Sequence, residues 1–174
     1  SHMKSHGRLL WEYANGIDDS GVLSEPAKAK GIGNSITLAQ DAVTSDQARL
    51  ALLSLAESVA SRLRAQGQRA MVETIEIKYA DFQTVSHQTA FSSPVDSDQI
   101  IYETACKLFE ETWNHSPVRL LGIRTAKLVQ ACEPVQLTLF DLTQPECSEK
   151  QHKLEEAIDT IRKKYGEKAI VRGR

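Results

Sequence analysis

The chain has 174 residues, a formal net charge of −2 and 41% hydrophobic residues, a composition typical of one moderate globular domain with short extensions. No apolar run reaches the roughly 18 residues that a membrane-spanning helix needs, and we find no secretory signal, so no membrane partner is expected. Three cysteines without metal-ligand or redox spacing predict free thiols and a cytoplasmic location. Residues 32–130 hold 9 Lys/Arg against 11 Asp/Glu, which excludes a broad basic surface for nucleic acid and leaves only a few placed cations for phosphate contacts.

The N-terminal part predicts one helix and a linker. Ser1-His2-Met3 is typical of the remnant of a cleaved tag, so we expect the natural protein to be longer. Residues 8–15 predict the last turns of a helix with Gly16 as its C-cap. This helix is either a small element docked on the domain or the tail of a preceding domain. Residues 22–31 have no clear periodicity and contain Pro26, which predicts a linker.

The middle of the chain predicts an alternation of strands and helices. Alternating apolar residues indicate strands over 32–41, 71–82, 85–91 and 118–128. The capping box formed by Thr44 and Gln47 begins a helix that ends near Gly67. A second helix is predicted to begin with Asp96 as its cap and to stop before Pro117.

This order of elements predicts an α+β fold of the ferredoxin-like β-α-β-β-α-β kind. We expect a four-stranded, mostly antiparallel sheet with both helices on one face, because each helix has one apolar stripe to bury. The predicted core consists of Leu52, Leu55, Leu63, Ile75, Ile77, Leu108, Phe109, Leu121 and Ile123. The other face would stay open and carry hydroxyls, an amide and two cations, namely Thr37, Lys78, Ser86, Gln88 and Arg124. Such a face is either simply solvated or offers a row of donors to a phosphate backbone.

Two features follow the predicted sheet. The apolar stretch from Gln136 to Asp141 is flanked by Pro134 and Pro145, which favours an extended surface segment over a central strand. The alternative is a short strand that covers the sheet. A second capping box at 148–151 predicts a C-terminal helix, and a short strand is predicted at 169–171. The apolar stripe of that helix would consist of Leu154, Ala157, Ile158, Ile161 and Tyr165.

Several stretches carry a family resemblance through their order and spacing. They are Gly16-Ile17-Asp18, Lys30 to Ser35 with Thr37-Leu38, Arg62-Leu63-Arg64, Pro117 to Arg124, and Ile161 to Gly166. Together they resemble the C-terminal part of a bacterial Y-family DNA polymerase of the DNA polymerase IV kind. The most specific stretch, Pro117 to Arg124, resembles the last strand of the little finger domain of these enzymes. Gln136 to Phe140 lies where many of them carry a peptide that binds the sliding clamp.

The resemblance implies a division of the chain and a function. The division is a tag remnant and thumb tail over 1–21, a linker over 22–31, a DNA-binding little finger domain over 32–130, a clamp-binding linker over 131–147, and a C-terminal helix with a short strand over 148–174. The implied function is DNA binding and clamp tethering for an error-prone translesion DNA polymerase in DNA repair and damage tolerance. The alternative is a ferredoxin-like protein-interaction domain without a nucleic-acid role.

The resemblance also implies partners and site residues. We expect primer–template DNA to contact Ser35, Thr37, Lys78, Ser86, Arg119 and Arg124, and the β subunit of the bacterial sliding clamp to bind Gln136, Leu137, Leu139 and Phe140. In the clamp peptide, Gln136 would form a hydrogen bond at the edge of an apolar pocket that Leu139 and Phe140 fill. No catalytic or metal-binding residue is expected in this chain, because in the family the Mg²⁺ ions of polymerisation are held by palm carboxylates further upstream.

Overall fold

Eight helices and strands follow one another in the computed structural model, which describes residues 4–18, 21, 29–131, 149–166 and 169–170. They are α1 (Lys4–Ala14), β1 (Gly31–Ala42), α2 (Ser45–Ala65), β2 (Gln68–Tyr79), β3 (Thr84–Val95), α3 (Asp98–Thr112), β4 (Val118–Gln130) and α4 (Glu149–Tyr165). The predicted order of elements from β1 to β4 is therefore confirmed. None of these helices is long and apolar enough to cross a membrane.

The four strands form one sheet in the order β1-β4-β2-β3, and every neighbouring pair is antiparallel. The helix α2 connects β1 to β2, which flank β4, and α3 connects β3 to β4, which flank β2. Each βαβ unit is thus split by a strand of the other unit. This arrangement confirms the predicted α+β, antiparallel fold and adds the strand order, which the sequence leaves open.

Both central helices cover the same face of the sheet and contact each other there. α2 begins with the predicted capping box, in which the Thr44 hydroxyl accepts from the amide of Gln47 and the Gln47 side chain accepts from the amide of Thr44. The predicted core is confirmed, since all nine of its members are buried: Leu52, Leu55, Leu63, Ile75, Ile77, Leu108, Phe109, Leu121 and Ile123.

Two local predictions are wrong. Asp96 does not cap α3, because β3 runs on through Pro94 to Val95 and the helix begins only at Asp98. The carboxylate of Asp96 instead accepts from Arg69 on β2 at 3.3 Å. Residues 169–170 form a turn rather than part of a strand.

The helix α4 docks on the domain through polar side chains, whereas the sequence predicts an apolar stripe. Leu154 is 53% exposed and Tyr165 is also exposed, and of the predicted stripe only Ile158 and Ile161 are half-buried. The buried residue is Glu155, whose carboxylate accepts from Arg64 at 3.1 Å and from the Ser97 hydroxyl at 2.8 Å. α4 is therefore held at the end of α2 and the start of α3, away from the open face of the sheet.

Several predictions concern residues outside the described ranges. These are the clamp-binding residues at 136–140, the cap residue at 148, and most of the predicted linkers over 22–31 and 131–147. The predicted N-terminal helix is present as α1, and Gly16 follows it with a φ of 72°, the left-handed conformation expected of a C-cap.

Candidate nucleic-acid interface

The sheet face opposite α2 and α3 is lined by polar side chains in three cross-strand rows. Alternation along the strands and the pairing register define these rows. The first row holds Gly33, Arg124, Thr74 and Gln88. The second holds Ser35, Gly122, Glu76 and Ser86. The third holds Thr37, Leu120, Lys78 and Thr84. We call these twelve residues the open face.

In the middle of the open face, Gly122 lies close to the side chains on both neighbouring strands. A Cβ atom placed on Gly122 would lie 3.3 Å from the Cβ of Ser35 and 3.5 Å from the Cβ of Glu76. Glycine at this position therefore lets the neighbouring side chains of β1 and β2 approach each other across β4. Larger residues here would push apart the two side chains that line the centre of the face.

The structure brings together five of the six residues predicted to contact DNA. Ser35, Thr37, Lys78, Ser86 and Arg124 all belong to the open face. Arg119 does not, because the pairing of β2 with β4 shifts register between Lys78 and Tyr79. Its guanidinium lies instead over the ring of Phe82, with Cζ 5.0 Å from the ring centroid.

The cations in this region have no carboxylate partners. Arg119 and Arg124 are the two arginines of the described chain that form neither an ion pair nor a hydrogen bond. Lys78 likewise forms neither within the described residues, and its Nζ lies 5.2 Å from the centroid of the Phe82 ring. The other described arginines are held by carboxylates or carbonyls: Arg8, Arg49, Arg62, Arg64, Arg69 and Arg162. Unpaired cations beside hydroxyl and amide donors can neutralise phosphates.

Two residues of this region were missed by the sequence analysis. Glu76 is exposed in the middle row, where its negative charge limits the attraction for phosphate. Phe82 was assigned to the end of a strand, but it lies in the turn between β2 and β3 with a φ of 68°. The signal for that turn was Asp81, whose carboxylate accepts from the amide of Gln83 at 3.0 Å and closes an Asx turn.

The described residues do not fit a Mg²⁺ centre. Within the ranges that the structure describes, no three His, Cys, Asp or Glu side chains converge as metal ligands would. The open face offers hydroxyl and amide donors, the cations Lys78 and Arg124, and one carboxylate, that of Glu76.

The comparisons with known proteins agree with the fold. The chain is 35% identical over 169 residues to DNA polymerase IV of Clostridium acetobutylicum, covering 97% of this chain and 42% of that protein. It is 34% identical over 170 residues to DNA polymerase IV 1 of Bacillus subtilis, covering 97% and 40%. The chain thus spans about two fifths of the length of these relatives.

A solved structure shares the architecture at low identity. A post-insertion binary complex of Dbh DNA polymerase superposes with a TM-score of 0.52 at 18% identity, covering 73% of this chain and 36% of that one. Residues 29–139 match the family described as the impB/mucB/samB family C-terminal domain. The predicted resemblance to the C-terminal part of Y-family DNA polymerases is confirmed. The chain belongs to the impB/mucB/samB family, and residues 29–139 are the C-terminal domain of that family.

Proposed function

We propose that this chain is the DNA-binding and clamp-tethering part of an error-prone translesion DNA polymerase that acts in DNA repair and damage tolerance in the cytoplasm. The observation that carries the DNA-binding part is the placement of Arg124 and Lys78, unpaired within the described residues, among exposed hydroxyls on a sheet face that no described helix covers. The relatives named DNA polymerase IV support the polymerase context.

The geometry favours contact with the backbone of duplex DNA. Arg124 and Lys78 lie in the first and third rows, which are about 13 Å apart because successive rows differ by two residues of about 3.3 Å each. The two cations would therefore reach different phosphates, and the Ser35 and Thr37 hydroxyls on the neighbouring edge strand β1 would donate beside them. Contacts to phosphates carry no sequence information, so we expect weak, sequence-independent binding that falls steeply with salt.

Arg124→Ala is expected to weaken binding to a primer–template duplex by about tenfold at low salt, because one charge-assisted contact to phosphate is lost. The slope of log affinity against log salt should fall by about one. Fluorescence anisotropy of a labelled duplex between 50 and 200 mM salt, roughly the range in which such contacts are screened, measures both quantities.

Lys107→Ala is the matched control, because it removes one exposed cation from α3, on the opposite side of the sheet. It should leave the affinity within about twofold of the wild type. Equal losses for the two variants would show that only net charge matters, and the open face would then not be the interface. A chain that binds no duplex at all would favour the alternative, a protein-interaction domain.

The clamp-tethering part of the proposal rests on the pattern from Gln136 to Phe140. The four strands of the described sheet end with β4 at Gln130, before this stretch begins. Apolar side chains without a role in a core favour a partner surface. The pattern matches peptide recognition by a few buried anchors.

Leu139→Ala combined with Phe140→Ala is expected to remove binding to the β subunit of the sliding clamp, because both anchors would leave the apolar pocket, at a cost of about 2–4 kcal/mol. The melting temperature should not change. Thr138→Ala is the control, since it lies within the same stretch at a position that the pattern leaves open. Normal clamp binding by the double variant would exclude the motif, and a lower melting temperature would make the stretch part of the core.

The remaining parts of the proposal concern the longer protein. We propose that the polymerase activity and its Mg²⁺ belong to palm carboxylates outside this chain, and that the chain divides near residues 21, 31, 130 and 147. Limited proteolysis followed by mass spectrometry tests the division, because cleavage should concentrate at these positions.

A further inference from the structure

The tip of the hairpin between β2 and β3 presents an aromatic ring between two cations. Phe82 is 62% exposed, with Lys78 Nζ 5.2 Å and Arg119 Cζ 5.0 Å from its ring centroid. Neither cation has an ion pair or a hydrogen bond within the described chain. The ring therefore lies close to two positive charges without neutralising them.

The turn fixes the ring in this outward position. The amide of Tyr79 donates to the carbonyl of Gln83 at 2.9 Å, and the amide of Phe82 donates to the carbonyl of Tyr79 at 3.0 Å. The amide of Ala80 donates to the carbonyl of Pro117 at 3.0 Å, which joins the hairpin to the start of β4. Phe82 keeps a φ of 68°, a left-handed conformation that glycine or asparagine would adopt more easily than a bulky residue. The turn itself therefore gives no reason for an aromatic side chain here.

We propose that Phe82, Lys78 and Arg119 form a binding site for one unpaired nucleotide. The base would stack on the Phe82 ring, and the adjoining phosphate would lie between the two cations. This inference rests on the proposed DNA-binding function, because Lys78 belongs to both the open face and this site. Duplex DNA on the open face would thus continue into a single strand at the hairpin tip.

The chemistry of the site favours an unpaired base over other ligands. A paired base shows only its edges in the grooves, whereas an unpaired base can offer its face to an aromatic ring, which is a sequence-tolerant contact. The stacked base would displace the cation that lies over that face of the Phe82 ring, and the displaced cation would move to the phosphate next to the base. A protein or membrane partner of an exposed phenylalanine would instead favour further apolar side chains beside it, and here the ring contacts two cations.

Phe82→Leu in the full chain tests the stacking, because it keeps an apolar side chain at the same backbone position and removes the aromatic face. The probes are a blunt duplex, a primer–template with a single-stranded overhang, and the same overhang carrying abasic sites. We expect Phe82→Leu to weaken binding to the overhang substrate by about 5-fold to 100-fold, the scale of one lost base–aromatic stack, and to leave blunt-duplex binding unchanged. Phe82→Tyr should retain wild-type affinity.

The abasic overhang separates stacking from cation positioning. For the wild type, the abasic overhang should lower the affinity by the same factor as the Phe82→Leu change does on the normal overhang. The affinity of Phe82→Leu should be the same for the abasic and the normal overhang. Wild-type affinity of Phe82→Leu for the normal overhang would overturn the inference, while Arg124→Ala would still report on the open face. The inference would also be overturned if the wild type bound the abasic overhang as tightly as the normal one while Phe82→Leu showed a smaller slope of log affinity against log salt. Phe82 would then only position the two cations. Failure of the wild type to bind any of the probes would overturn the proposed function as well.

Discussion

Replacing Glu73 by Gln is expected to stabilise the domain at neutral and alkaline pH and to change its stability little at pH 5. Glu73 lies on β2, on the inward side with Ile75 and Ile77, and its side chain is fully buried. Neither carboxyl oxygen has a hydrogen-bond partner within the described chain. The neighbouring Thr125 hydroxyl is engaged elsewhere, since it donates to the carbonyl of Ile32 at 2.8 Å.

The direction of the effect follows from the protonation of this carboxyl. Burial raises the pKa of Glu73 from 4.5 to about 9, so the folded domain holds the neutral acid at pH 7. A raised folded pKa contributes stability that is complete below the unfolded pKa of 4.5 and is lost as the pH rises towards 9. Each pH unit in this window costs about 1.4 kcal/mol. Glutamine has nearly the same shape and cannot ionise, so its advantage should reach about 4 kcal/mol at pH 8.

Urea unfolding at pH 5, 6, 7 and 8 measures the difference in unfolding free energy between the variant and the wild type. Glu76→Gln provides the control, because it makes the same chemical change three residues along β2 at an exposed position of the open face. The change in unfolding free energy with pH should be larger for Glu73→Gln than for this control. A difference between Glu73→Gln and the wild type that does not change with pH would mean that the buried carboxyl titrates normally or has an ionic partner.

The sequence contains the local signals that define most of this fold. The capping box at Thr44 and the stripe on α2 specify a helix with one buried face, and alternation on β2 separates inward Ile75 from outward Lys78. These signals are local, because each depends on a period of 3.6 or 2 within one element. For the same reason alternation brings Ser35, Thr37 and Arg124 to one face without any knowledge of the strand order.

The features that the sequence did not predict depend on contacts between distant residues. The order β1-β4-β2-β3 follows from how two βαβ units interleave, which no local period encodes. The position of Arg119 beside Phe82 depends on a register shift between β2 and β4. The burial of Glu73 could be inferred from alternation, but its lack of a partner depends on where the Thr125 hydroxyl donates.

The docking of α4 could not be predicted from its sequence, because its contact surface is polar. Apolar periodicity indicates Leu154 and Tyr165 as the buried side, yet the structure buries Glu155. A carboxylate becomes favourable in such a place only when a partner from another element satisfies it. That partner, Arg64, lies 91 residues away in sequence, so a pattern within α4 alone does not reveal it.

Arg64→Ala is expected to release α4 from the domain. Arg64 is 8% exposed in its side chain and donates to Asp159 at 2.7 Å, to the Asp96 carbonyl at 2.8 Å and to Glu155 at 3.1 Å. One planar guanidinium thus joins the end of α2 to α4 and to the segment before α3. Removing it leaves the Glu155 carboxylate buried without its cation, an arrangement that typically costs about 3–5 kcal/mol. Because α4 can leave while the sheet and its two helices persist, we expect this cost to appear as local opening.

Hydrogen exchange of the α4 amides measures this opening directly. Protection of α4 should fall by about a hundredfold or more in Arg64→Ala, since 1.4 kcal/mol corresponds to a factor of ten, while protection of β2 and β4 should stay near the wild type. Arg64→Lys should restore it only in part, because an ammonium group cannot reproduce the fork of donors. Arg49→Ala is the matched control: Arg49 lies on the same helix and pairs with Glu110, but both side chains are exposed, so little change is expected. If the α4 amides are equally protected from exchange in Arg64→Ala and Arg49→Ala, Arg64 does not hold α4. The half-buried Ile158 and Ile161 then become the residues to test.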